Sequence, residues 1–138
     1  MSAGTRSRGQ RPGEPGQARE PEGARAAHHR AAPVHTDPAE VPLETALLAL
    51  ADPVRRTLVR ELAAAGDWER PCGSFDVPVT KATLSRHFAV LREAGLLEQR
   101  DAGPKRFNRL RRPEFEARFP GLLGLVLRED DAVAGGKR

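Results

Sequence analysis

Large aliphatic side chains recur at helical spacing from residue 43 to residue 62: Leu43, Leu47, Leu50, Val54, Leu58 and Leu62. Asp52-Pro53 interrupts the run. Aspartate is a good N-cap and proline suits a first helical position, so the pattern predicts two helices, roughly 42–50 and 53–65. Gly66 supplies a C-terminal stop. Residues 66–79 contain Pro71, Gly73 and Pro78, which forbid a long helix and leave room for one short helical turn around 72–75. Thr80 then caps a helix of about 81–93, in which Leu84, Phe88 and Leu91 share one stripe. Lys81, Ala82, Thr83, Ser85, Arg86 and Arg92 lie off that stripe.

Gly95 ends this helix, and Leu96 and Leu97 begin a strand. The turn chemistry of Asp101-Ala102-Gly103-Pro104 leads into a return strand over 106–110. Pro113 opens another helix, with Phe115 and Phe119 at i, i+4, and Pro120 kinks or restarts it. Leu122, Leu123, Leu125, Val126 and Leu127 follow. Five large aliphatics within six residues are too many for a helix buried on one side, so a second subunit is the expected cover. The fold class is mostly α with a small β-hairpin.

Composition sets the domain limits. The first forty residues hold five Pro, five Gly and eight Ala, and their only large aliphatic side chains are Met1 and Val34. Such a segment cannot bury enough apolar surface to offset its ordering entropy, so 1–40 reads as a disordered tail. It has no apolar central run like a signal peptide, and its five acids argue against a transit peptide. The folded domain is expected over 41–128, with a flexible polar tail at 129–138. No window approaches the roughly 18 apolar residues of a membrane span. The expected location is cytoplasmic. A core this small buries only about 60% of its unfolded surface, and the lone Cys72 allows no intrachain disulfide, so dimerisation is a natural remedy.

Charge changes the picture most. Residues 81–112 carry nine Lys/Arg and three Asp/Glu, whereas the whole chain is only +4. A basic helix beside a basic hairpin is a shape suited to duplex DNA. Lys81 near the helix N-terminus can reach a phosphate, and Thr83, Arg86 and His87 can meet phosphates or base edges. Lys105 and Arg106 at the hairpin suit phosphates or the minor groove. The DNA-facing set is Thr80, Lys81, Thr83, Ser85, Arg86, His87, Arg92, Lys105 and Arg106. Arg109, Arg111 and Arg112 can instead pair with Glu114 or Glu116.

The segments LADPVRRTLVREL (50–62), TLSRHFAVLREAGLL (83–97) and GPKRFNRL (103–110) resemble the ArsR/SmtB family of bacterial transcriptional repressors, winged helix-turn-helix proteins. The resemblance spans about 43–128. It implies a homodimer whose first and last helices form the interface, here Leu43, Leu47, Leu122, Leu123, Leu125 and Val126. It also implies an operator reader: helix 81–93 in the major groove and wing 98–109 on the backbone or minor groove. Two departures stand out. The helix before the reading helix looks shortened, since 72–79 offers few residues and includes Pro78. The metal patterns of the family's sensors are also missing: residue 74 is Ser rather than a partner for Cys72, and no His follows His87. No metal or cofactor is expected.

Other chemistry finds less footing. His87 reads as a DNA contact, a helix-positioning group or a half-buried hydrogen-bonding residue. His28, His29 and His35 read as part of a solvated tail, although flexible histidines can catch zinc or nickel weakly. Cys72 reads as a small buried hydrophobe or, alternatively, a redox-responsive thiol. There is no Gly-rich phosphate loop, nucleophile elbow or zinc-hydrolase helix, so an enzyme is not expected. The expectation is a DNA-binding transcriptional regulator acting as a homodimer, in the repressor sense. A winged-helix protein-interaction module is the rival class.

Overall fold

A computed structural model describes residues 31–136 of the chain. The expected helices form where caps and apolar spacing placed them. Helix α1 spans Leu43–Ala51 and α2 spans Pro53–Ala64. Asp52 separates them: its Oδ1 accepts the backbone N–H of Val54 (2.8 Å) and of Arg55 (3.1 Å), and Pro53 takes the first helical position. Helix α3 spans Lys81–Glu93, and Thr80 Oγ1 accepts the N–H of Thr83 at 3.1 Å. A left-handed Gly95, at φ +73°, stops it. Strands β2 (Leu97–Ala102) and β3 (Lys105–Leu110) make the hairpin, in antiparallel register from Leu97 opposite Leu110 to Ala102 opposite Lys105. Helices α4 (Arg112–Arg118) and α5 (Leu122–Gly136) follow.

A third strand was not expected. β1 (Arg70–Pro71) pairs antiparallel with β3, giving the order β1-β3-β2. The segment after it contributes only a 3₁₀ turn at Cys72–Ser74, so the shortened helix expected before α3 is a single turn. The five helices and the small antiparallel sheet form a winged helix-turn-helix.

The core lies where the elements converge. Leu58, Val59 and Leu62 of α2 meet Phe88 and Leu91 of α3, and Leu96, Leu97, Leu110, Phe115 and Leu123 close over them. Phe75, from the segment that was hardest to read, is buried with its ring edge toward Phe88 at 5.7 Å and 62°. Leu84 is only half-buried at the margin of this cluster.

The expected tails differ at both ends. Residues 1–30 lie outside the described residues. Those from Val34 to Val41, however, are packed as a strap rather than a free tail. Asp37 caps a 3₁₀ turn at Pro38–Glu40, Pro38 and Val41 are buried, and Arg92 Nε donates to Val34 O at 3.1 Å. Pro38 lies so close to Gly95 that an added Cβ there would come within 3.0 Å of Pro38 Cα. His35 is likewise no solvated tail residue: its Nε2 accepts the backbone N–H of Gln99 at 2.9 Å, on the outer edge of β2. Burial first, and then Arg92, Arg111 and Arg106, hold its pKa below the ordinary histidine value against the opposing pull of Glu98. At the other end α5 continues to Gly136, and Asp130 is ion-paired with Arg56 at 3.1 Å.

Candidate nucleic-acid interface

The first half of α3 presents one outward face. Lys81, Ala82, Ser85 and Arg86 are exposed, Thr83 and His87 flank them half-buried, and Phe88 and Leu91 anchor the opposite side. The first turn of α3 carries no acid, and its N-terminal N–H groups add a partial positive charge to that face. Thr80 does two jobs at the entry. Its Oγ1 accepts the Thr83 N–H, and it lies 3.1 Å from Thr83 Oγ1, which fixes both hydroxyls.

His87 is held from behind. Arg55 on α2 places Nη1 3.1 Å from His87 Nδ1 while Nε donates to Ala49 O (2.8 Å) and Nη2 to Leu48 O (3.0 Å). Arg55 was not among the expected site residues. Its only sequence signal was its place three residues after the Asp52 cap.

The wing tip is open. Gly103 turns the hairpin at φ +63° with nothing within 4 Å of where a Cβ would sit, and Lys105 is exposed beside it. Arg106 is engaged instead by its cross-strand neighbour: Nε and Nη2 donate to the two Asp101 oxygens at 2.7 and 3.1 Å.

The charge counted along 81–112 is therefore larger than the charge presented. Arg92 turns inward and donates to Gln99 Oε1 and Val34 O, so it serves the fold rather than the outer face of α3. Arg109 bridges Glu114, Glu98 and Asp67, the pairing alternative foreseen for it. The hydrogen bond from Arg109 holds the Glu114 carboxyl below its ordinary range and lifts the guanidinium in turn. Arg111 also lies against Glu114, at 3.8 Å. Arg100 stacks on the Trp68 ring at 4.0 Å. Lys81, Arg86, Lys105 and Arg112 remain exposed, as does Arg100 despite its stacking.

Of the six residues expected at a subunit interface, Leu43 is 50% exposed, Leu47 47% and Leu125 48%. Leu48 and Val133 are exposed as well. Leu122 and Val126 are half-buried against the core. Leu123 is fully buried within the chain itself, so it packs the core instead of lining a free surface. No helix among the described residues is long and apolar enough to cross a membrane.

Comparison with known proteins agrees with this geometry. A family model described as a helix-turn-helix domain matches residues 50–100, from the end of α1 through the middle of β2. An uncharacterized HTH-type transcriptional regulator of Bacillus subtilis (strain 168), YceK, is 36% identical over 77 residues, covering 54% of this chain and 76% of that protein. The fold, the matched segment and this relative together place the chain in the family of helix-turn-helix transcriptional regulators.

Proposed function

We propose that this protein is a DNA-binding transcriptional regulator of the ArsR type, acting as a homodimer and in the repressor sense. The observation that carries the reading is the outward face of the first half of α3, with Lys81, Ser85 and Arg86 and no acid in the first turn, set beside the open Lys105 wing tip. The face has the width of one helix, which the major groove admits, while the tip can reach the adjoining backbone. The exposed leucines of α1 and α5 supply the apolar surface that a second copy would cover. Two reading helices related by a twofold axis would meet half-sites about one helical turn apart, ~34–36 Å.

The deciding experiment is a random-oligonucleotide selection with the purified chain. Recovery of a palindromic site with that half-site spacing is the expected result. Failure to hold any duplex at low salt would favour the protein-interaction module instead.

Arg86→Ala is expected to weaken binding to the selected site by ~1–3 kcal/mol with the oligomeric state unchanged, read by fluorescence anisotropy. Unchanged affinity would remove Arg86 from the interface. Lys105→Ala should weaken binding to all sequences alike and lower the salt slope by about one. A change in sequence preference would instead put the wing tip on base edges. For the dimer, Leu47→Glu should shift the chain toward monomer in light scattering, because it sets a charge in an apolar contact. A wild-type chain that is already monomeric at high concentration would refute the dimer.

A further inference from the structure

We infer that Arg55 is a positioning residue that fixes His87 as a hydrogen-bond donor, so that α3 presents the Nε2–H of a neutral imidazole to an acceptor on the DNA. The inference rests on the DNA-reading role proposed above and adds the direction of one hydrogen bond.

The argument begins at the end of α1. The last carbonyls of a helix have no partner within it. Two of them, Leu48 O and Ala49 O, are met by Nη2 and Nε of Arg55 at 3.0 and 2.8 Å. The backbone N–H of Arg55 is held in turn by Asp52 Oδ1. The guanidinium plane is thereby fixed at both ends, and its remaining arm, Nη1, points at His87 Nδ1, 3.1 Å away. A guanidinium has donors only, so Nδ1 must accept. The proton of the neutral ring then resides on Nε2, for which no protein partner exists among the described residues. An imidazole locked this way can bond a phosphate oxygen, guanine O6 or N7, adenine N7 or thymine O4. It cannot accept from the amino group of cytosine.

The arrangement also ties the reading helix to α1, the helix that carries the exposed Leu43, Leu47 and Leu48. Two backbone carbonyls of α1 and the His87 ring of α3 therefore meet at one guanidinium of α2.

Long-range proton–nitrogen correlation spectra of the full chain without DNA test the first step. The Nε2–H tautomer of His87 is expected, and the Nδ1–H tautomer would overturn the inference without any variant. The second step is a double-mutant cycle with the duplex recovered by selection. His87→Ala should lose about tenfold in affinity. Arg55→Lys, which keeps the charge but not the fork, should lose a similar factor, and the double variant no more than either alone. Losses that multiply would show Arg55 acting apart from His87 and would overturn the inference while leaving the DNA-reading role intact. A wild-type chain that binds no duplex would overturn that role and the inference together, whatever the tautomer.

Discussion

Phe88→Ala is expected to destabilise the domain by about 3–5 kcal/mol, the cost of truncating a fully packed aromatic. Phe88 is 3% exposed on the inner face of α3, and its ring meets Phe75 at 5.7 Å. Phe75 in turn lies under the Arg70 guanidinium, 4.2 Å from its centroid. Val77 from the segment before α3 and Leu84 from α3 itself pack against the same cluster, partly buried. Truncation would therefore open a cavity inside a packed cluster. A small domain holds about 5–15 kcal/mol in total, so the variant would stand near unfolding at moderate temperature. The measurement is the urea midpoint, which should fall sharply with an unchanged slope. A midpoint shifted no further than by a surface substitution would mean that Phe88 does not anchor the helix. Affinity for DNA should fall only with the folded fraction, since Phe88 faces away from the outward residues Lys81, Ser85 and Arg86.

The contrast between α3 and the strap shows what a sequence pattern can carry. α3 announced itself three times: a Thr80 cap, a stripe of apolar residues and a Gly95 stop. Each signal is local: the cap and the stop act on the backbone within one turn, and the stripe acts through burial over two. The strap announced nothing. It is held by the burial of Pro38 and Val41 against Gly95 and by contacts to residues far along the chain, His35 to the Gln99 backbone and Val34 O to Arg92, and no periodicity encodes such contacts. β1 was hidden for a related reason. It is two residues long and includes a proline, tolerable because the strand lies at the sheet edge.

The site was legible in its outline and less so in its charges. Lys81, Ser85, Arg86 and Lys105 stand outward as the spacing suggested. Arg92 and Arg106 do not present themselves in the same way, because an arginine can reach several ångströms along its stem to a partner that sequence distance conceals. Asp101 and Arg106 face each other across the hairpin, a pairing that follows from register. Arg55 escaped notice because its partners, two carbonyls and a histidine ring, come from different helices. A tightly paired wing also has a consequence for binding. On the DNA-reading role proposed above, cations already paired within the protein neutralise fewer phosphates, so the salt slope should be set chiefly by exposed cations such as Lys81, Arg86 and Lys105.

The sheet carries a polar core that an alternating pattern would have filled with aliphatics, and Asn108→Ala should expose its worth. Gln99 and Asn108 are directly opposed across β2 and β3, at 4% and 0% exposure, on the inward face beside Leu97 and Leu110. Asn108 Oδ1 accepts from Gln99 Nε2 and its Nδ2 donates to Arg70 O, both at 2.8 Å. Gln99 Nε2 also lies 3.1 Å from Cys72 Sγ. One asparagine thus joins all three strands: its own β3, β1 through Arg70 and β2 through Gln99. Removing it takes the side-chain donor from the part-buried Arg70 carbonyl and leaves the buried Gln99 amide nitrogen with only the weak Cys72 Sγ acceptor, at roughly 1–3 kcal/mol for each group left unsatisfied. A total loss of about 2–4 kcal/mol is expected, read as a lower urea midpoint. The paired replacement Gln99→Leu with Asn108→Leu should cost less than the sum of its two single changes, because it removes donor and acceptor together. If the single Asn108→Ala change proved neutral, water would have to be entering the sheet to satisfy those groups. If the two leucine losses simply added, the pair would not act as a unit.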